Sequence, residues 1–171
     1  MKELDFIKDD DLRKTLEDSI DFIYNFYGQS KSDGQKKLYQ EETYRIIILY
    51  VTSVIEAVLL YFYKARGEKI EYPEYKYIHT LPPEFGNIKK TGLSLVIAVQ
   101  EKTEKQDHQL GLHDLVNFFK TKKLIQEETA NSILELNDVR NTFHLSKPRT
   151  KNCDLERVES ALKLLLHTIE K

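Results

Sequence analysis

The stretch from residue 46 to residue 63, IIILYVTSVIEAVLLYFY, is the feature that most constrains this chain. It is apolar on almost every side, which predicts a helix buried on most of its surface, or covered by a core on one side and by a second subunit on the other. The β-branched residues would allow a strand locally, but the length and the lack of turn residues favour a helix. We predict that this second helix runs from about residue 35 to residue 65 and stops at Gly67.

Glu56 is the lone charge in that stretch. A carboxylate near the centre of a bilayer is costly, so a buried core helix is favoured over a membrane span, and the cytoplasm is the expected location. A buried carboxylate must be paired or protonated, and Arg140 is the expected partner. This pair would either only orient two helices or position Arg140 for a ligand.

Apolar residues recur at helical spacing in four further segments. A first helix is predicted to start at the caps Asp9 to Asp11 and to end at Gly28. A third helix is expected over residues 112 to 119, a fourth from about 126 to 143, and a last one after a cap at Asn152 or Asp154.

Residues 68 to 109 break the pattern and predict a small β-hairpin, with strands at 70–77 and within 94–100, or an irregular insert. Residues 102–109, KTEKQDHQ, are predicted to be a solvated connector. The expected fold class is therefore all-α. We expect a single domain of residues 1–171, built as a bundle of about five helices with an insert at about residues 68–109.

The segment from residue 133 to residue 149, ILELNDVRNTFHLSKPR, contains the side chains best suited to bind a ligand or to catalyse a reaction. Ile133, Leu136, Arg140 and Phe143 are spaced as one helix face, so Arg140 puts a permanent charge into an apolar stripe. On a continuing helix, His144 would lie beside Arg140. A cation and a group that titrates near neutrality, together at a helix end, could hold a phosphate and move a proton.

The neighbouring residues add to this site, and each also has a plainer explanation. Asn141 lies between the Arg and the His, and the exit loop carries three bases that could bind phosphate: Lys147, Arg149 and Lys151. Arg and His at a helix C-terminus are also favoured by the helix dipole alone, and loop bases are commonly only solvated. The net charge of −2 gives no whole-protein attraction to nucleic acid, so a local anion site fits better than a long basic groove.

The sequence contains few cysteine and histidine residues that could form a disulfide or bind a metal. Cys153 is the only cysteine, which excludes an intrachain disulfide and a cysteine zinc cluster. His108 and His113 flank QLGL without an HExxH motif, so they are predicted to be a surface His and a helix-start His. No metal and no cofactor is predicted.

Helices in this order, with R-N-x-x-H near the end of the fourth, resemble the HEPN superfamily. SVIEAVLLYFY resembles the long early helix of that family, LGLHDLVNFFKTKKLI looks like its short helix and break, and NDVRNTFH looks like its motif. The resemblance covers residues 44 to 170, while residues 68 to 109 have no clear counterpart. This sequence places three residues between Arg140 and His144, where the usual catalytic pattern has four to six, and it has Ser146 where one toxin branch has a tyrosine.

The resemblance implies a helical homodimer in which the motifs of two subunits face one cleft. Catalytic members are metal-independent ribonucleases of toxin–antitoxin and other defence systems, whereas other members only bind nucleic acid, nucleotides or proteins. Arg140 would hold the scissile phosphate, His144 would act as acid or base during attack by the ribose 2′-OH, and Asn141 would orient the site. We therefore expect a defence-system endoribonuclease or, alternatively, a non-catalytic module binding RNA, nucleotide or a protein partner such as an antitoxin. The dimer is expected to use the second and fourth helices.

Overall fold

The computed structural model describes residues 4–31, 37–80, 96–143 and 153–169. Within these ranges it contains five α-helices and one two-stranded antiparallel sheet: α1 (Asp10–Ser30), α2 (Lys37–Arg66), β1 (Glu71–Thr80), β2 (Val96–Glu104), α3 (Leu112–Thr121), α4 (Glu127–Asn141) and α5 (Leu155–Ile169). The chain divides into two compact units, the helical unit (Met1–Glu68 with Gly111–Lys171) and the hairpin unit (Lys69–Leu110). The prediction of a mostly helical fold with a small hairpin is confirmed.

Helix α2 is the centre of the helical unit, because it packs against each of the other four helices. About half of its apolar stretch is buried by these helices, and Ile46, Leu49 and Tyr50 on the other side are exposed, so the expected burial on most of the surface is not seen within the described residues. The buried Thr52 satisfies its hydroxyl by donating to the carbonyl oxygens of Ile48 and Leu49, both at 2.9 Å. The helix ends at Arg66, and Gly67 follows with a φ of 64°, a left-handed conformation that favours glycine. The predicted stop at Gly67 is confirmed.

Capping residues at two helix starts match their predictions. The side chain of Asp9 accepts a hydrogen bond from the Leu12 amide at 3.0 Å and caps α1. Asp154 accepts from the Arg157 amide at 3.0 Å at the start of α5. The other candidate for that cap, Asn152, lies outside the described residues.

Two helix ends differ from the sequence prediction. Helix α1 continues past Gly28 to Ser30, where the buried hydroxyl donates to the Tyr27 carbonyl at 2.7 Å. Helix α4 stops at Asn141 instead of continuing to Phe143. The hydroxyl of Thr142 donates to the Val139 carbonyl at 2.7 Å, and the amide of Thr142 bonds the same oxygen at 3.0 Å. This short-range bonding competes with the next helical turn and ends the helix.

The hairpin unit confirms the predicted hairpin and extends its second strand. Residues 102–104 belong to β2, whereas the sequence predicted a solvated connector there. Cross-strand partners explain the difference: Lys102 lies 3.2 Å from Glu71, and the Thr103 hydroxyl donates to Glu74 at 2.8 Å. A bulge lies between Tyr77 and His79. Apolar side chains are exposed on both strands: Tyr75, Tyr77, Ile78, Val96, Ile97 and Val99.

Burial of the Cys153 thiol leads to a testable difference in reactivity. The side chain is 3% exposed, and burial raises the pKa of the thiol to about 11 against the opposing effect of Arg45. Only the thiolate is nucleophilic, so we expect native protein at about pH 8 to react with iodoacetamide roughly 100-fold more slowly than protein unfolded in urea. Mass spectrometry of timed samples measures both rates. Equal rates in the two states would contradict a buried thiol.

Candidate functional site

Arg140 lies in an open cleft of about 550 Å³ within the helical unit. We call it the Arg140 cleft. Three helices build it, with two residues of α2 spaced by seven, three residues of α4 spaced as one helix face, and the beginning of α3. Its lining residues are Leu49, Glu56, Gly111, Leu112, His113, Asn137, Arg140, Asn141 and Phe143.

The carboxylate of Glu56 accepts a hydrogen bond from Nη1 of Arg140 at 2.6 Å. The predicted pairing of these two residues is confirmed. The side chains are 31% exposed for Arg140 and 24% for Glu56, so the pair borders the cleft and is not sealed in the core. A guanidinium has five N–H donors, and a single bond to Glu56 leaves others that can reach an anion in the cleft.

Two side-chain amides flank Arg140 on the same face of α4. Asn141 is exposed and Asn137 is half-buried, and both line the cleft. The sequence analysis named Asn141 and missed Asn137. The signal for Asn137 was available, because a residue three positions before Arg140 on a helix shares its face.

The buried stripe of α4 differs from the predicted one. Its buried residues are Ala130, Ile133, Leu136 and Val139, whereas Arg140 lies at the edge of that stripe. The stripe was predicted to continue from Leu136 to Arg140, but Val139 is the buried residue instead. The guanidinium of Arg140 therefore lines the cleft and not the centre of the core.

The remaining predicted site residues, His144, Lys147, Arg149 and Lys151, lie outside the described residues. The expected adjacency of His144 to Arg140 assumed a helix that continues through residue 143, and this assumption is wrong because α4 ends at Asn141. The expected role of His144 as an acid or base therefore remains a prediction from the sequence.

His113 brings an imidazole to the cleft that the sequence analysis did not assign to it. It is the second residue of α3, as predicted for a helix-start His, and its side chain is exposed. The side-chain nitrogen of Asn117, one turn later, lies 3.1 Å from Nδ1 and 3.3 Å from Nε2 of the ring. Gly111 is the N-terminal cap residue of α3, and its amide donates to the Asp114 carboxylate at 3.2 Å.

No family model, curated protein or solved structure matches this chain. Within the described ranges, no group of three or more His, Cys, Asp or Glu side chains could hold a metal ion.

One described helix segment, Tyr39–Arg66, is long and apolar enough to cross a membrane by length and composition alone. Half of its most apolar window is buried inside the structure, which is common for the core helix of a soluble protein. The structure shows what covers much of this helix, namely the other four helices.

An exposed apolar surface lies along α1 and α2, and one of its residues also lines the Arg140 cleft. We define the α1–α2 patch by Phe22, Ile46, Leu49 and Tyr50, each between 36% and 38% exposed. Ile46, Leu49 and Tyr50 occupy one face of α2. The rings of Phe22 and Tyr50 lie 4.5 Å apart between centroids and join the two helices. Leu49 makes the patch continuous with the cleft.

Proposed function

We propose that this chain is an HEPN-like, RNA-associated protein, and that the Arg140 cleft binds a phosphodiester and cleaves it without a metal. The observation that carries the proposal is the position of Arg140 in an open cleft, partly exposed and flanked by Asn137 and Asn141. A guanidinium matches the geometry of phosphate oxygens, and amide side chains can donate to the same group.

The proposed reaction uses the ribose 2′-OH as the nucleophile. Arg140 binds the scissile phosphate and stabilises the charge that develops on its oxygens. Asn141 orients the phosphate, and His144 is proposed to transfer a proton during the attack. Lys147, Arg149 and Lys151 are proposed to bind neighbouring phosphates. The resemblance of NDVRNTFH to the HEPN motif supports these assignments.

We propose that the active form is a homodimer with α2 and α4 at its interface. The α1–α2 patch supports the part of α2 in this interface, because it exposes a contiguous set of apolar side chains beside the cleft. A second subunit on this face would bring two Arg140 clefts near each other. We further propose that the protein is cytoplasmic and that it acts together with an antitoxin or another defence protein.

A second candidate function is a non-catalytic module that binds RNA, nucleotide or a protein partner. The contact between Glu56 and Arg140 favours it, because the carboxylate counters the charge that would otherwise stabilise a transition state. The short spacing between Arg140 and His144 also fits this alternative.

Incubation of total RNA with the protein in excess EDTA tests the proposal. We expect cleavage by the wild-type protein, and a loss of rate of about 10²-fold or more in Arg140→Ala and in His144→Ala, since each removes a group that acts on the reacting phosphate. Arg157→Ala is the matched control, because Arg157 pairs with Glu135 at 3.0 Å and does not line the cleft. It should cleave at the wild-type rate.

The outcomes separate the two candidate functions. Cleavage that survives both Arg140→Ala and His144→Ala would show that the activity arises elsewhere. Absence of cleavage by the wild-type protein, with RNA retained on a filter by wild type but not by Arg140→Ala, would favour the binding module.

A further inference from the structure

Strand β1 has an edge that the proposed function does not use. Within the described residues, the sheet of the hairpin unit has two strands, so each strand has one edge without a neighbouring strand. Every residue of β1 except Tyr72 is exposed, including Tyr75 at 66% and Tyr77 at 63%. A two-stranded sheet alone is marginally stable in water, and its unpaired backbone groups are a template for a further strand. The outer edge of β1 is therefore a candidate interaction surface.

The register of the hairpin determines which backbone groups point to this edge. The amide of Lys105 donates to the carbonyl of Ile70 at 2.9 Å, and these residues are opposite each other one position beyond the first paired residues, Glu71 and Glu104. Hydrogen-bonded and non-hydrogen-bonded pairs alternate along an antiparallel ladder. Even-numbered residues of β1 up to Lys76 therefore bond β2, and the odd-numbered residues point their amides and carbonyls outward. The outward residues are Glu71, Pro73, Tyr75 and Tyr77.

A second copy of β1 fits this edge when the two strands run antiparallel and pair about Tyr75. Tyr75 then lies opposite Tyr75 of the second copy, and the two residues exchange amide-to-carbonyl hydrogen bonds. The Tyr77 amide donates to the Pro73 carbonyl of the second copy. Proline has no N–H to return this bond, so the ladder is one bond short on each side. The bulge after Tyr77 limits the pairing to residues 73–77.

Charged residues select this register over its neighbours. Glu74 faces Lys76 of the second copy, and Lys76 faces Glu74, at non-hydrogen-bonded positions where opposite side chains are closest. Moving the centre of the pairing by one residue would place Glu74 opposite Glu74, or Lys76 opposite Lys76. Like charges directly opposite each other destabilise a sheet. The charge pattern of β1 is therefore complementary to itself in the register centred on Tyr75.

The contacts within the hairpin leave these charges suitably placed. Lys76 pairs with Glu101 of β2, and Glu74 accepts a hydrogen bond from the Thr103 hydroxyl at 2.8 Å. The ion pair is open to solvent, because the side chain of Lys76 is 60% exposed and that of Glu101 is 46% exposed. In a joined sheet, Lys76 lies between Glu101 of its own chain and Glu74 of the second copy. The opposite face of that sheet brings the exposed Tyr75 rings of the two copies together.

We propose that β1 pairs with β1 of a second copy of this chain, antiparallel and centred on Tyr75, so that the two hairpins form one four-stranded sheet. Such an interface is isologous, since both copies use the same residues. Backbone hydrogen bonds join the strands and the side chains determine the register, as in other interfaces formed by strand addition. The interface uses the hairpin unit only, so it does not depend on the Arg140 cleft or on the proposed interface at α2 and α4.

Two single charge reversals test this pairing. Glu74→Lys places like charges opposite each other in a pair of identical chains, and so does Lys76→Glu. We expect each variant alone to raise the Kd of self-association at the hairpin by about 10-fold or more, measured by sedimentation velocity at low ionic strength. Lys102→Glu is the matched control, because it makes the same change on β2 and also removes one ion pair within the hairpin, to Glu71 at 3.2 Å. It should associate like the wild-type protein.

An equimolar mixture of Glu74→Lys and Lys76→Glu is the decisive sample. In a mixed pair, each reversed residue faces a residue of opposite charge, so the mixture should associate with a Kd close to that of the wild-type protein. A variant that had simply lost its hairpin structure would not regain association on mixing. The rescue therefore separates the proposed register from a general effect on folding.

Every other result overturns the inference. A wild-type protein that is still monomeric at about 1 mM would exclude pairing of copies, whatever other strand the edge then accepts. Self-association that is unchanged in both single variants would belong to the interface at α2 and α4, so that proposal would stand while this inference is wrong. Weakened association that mixing does not restore would show that the register centred on Tyr75 is wrong.

Discussion

Truncation of Leu165 to alanine is expected to lower the free energy of unfolding by about 3 kcal/mol. Leu165 is fully buried on α5, the helix that packs against both α2 and α4. The substitution removes apolar contacts and leaves a cavity that close-packed neighbours fill only in part. For a chain of this size, the melting temperature should fall by roughly 10 °C.

The adjacent residue provides a matched control for this prediction. Leu166 is on the same helix and has the same side chain, but it is 36% exposed. We expect Leu166→Ala to change the free energy of unfolding by less than about 1 kcal/mol. Urea unfolding followed by far-UV circular dichroism measures both variants. Similar losses for the two leucines would show that the assigned face of α5 is wrong.

The second large effect is expected in the pair of Glu56 and Arg140. Removing one partner leaves the other charge in a partly desolvated place, so we expect Glu56→Ala to lower the free energy of unfolding by about 2 kcal/mol. This is less than for a fully buried pair, because the side chains are 24% and 31% exposed and water screens the remaining charge. In a double-mutant cycle with Arg140→Ala, the coupling free energy should be about 1 to 2 kcal/mol.

The pair of Glu135 and Arg157 is the control for this cycle. Its atoms lie 3.0 Å apart, but Glu135 is 60% exposed. The coupling free energy of such a surface pair should be at most about 1 kcal/mol. Equal coupling in the two cycles would argue against any special environment for Arg140. Strong coupling without RNA binding or cleavage would leave the pair of Glu56 and Arg140 a purely structural link between α2 and α4.

The sequence was informative where one residue type determines the outcome. Glu56 needed a partner because it is the only charge in the apolar stretch from residue 46 to residue 63, and Arg140 was the suitable cation, so their contact was predictable. Gly67 permits the left-handed backbone that ends α2. Asp154 caps α5 through its own side chain. In each of these cases a local physical requirement excludes most alternatives.

Other features depend on competition between weak local preferences or on tertiary structure. The end of α4 was missed because the helical pattern continues to Phe143, while the Thr142 hydroxyl already ends the helix two residues earlier. The strand at residues 102–104 was missed because its polar residues are stabilised by cross-strand partners instead of burial. His113 was missed as a cleft residue because only the packing of α3 beside α2 and α4 brings it there.

The central position of α2 has a consequence for motion in the cleft. Since every other described helix of the unit packs on α2, we expect its buried amides to be among the slowest to exchange with solvent. The part of the cleft that α2 lines, including Glu56, is therefore expected to move little during small fluctuations. We therefore expect any widening of the cleft to come from displacement of the shorter helices α3 and α4, which carry His113 and Arg140.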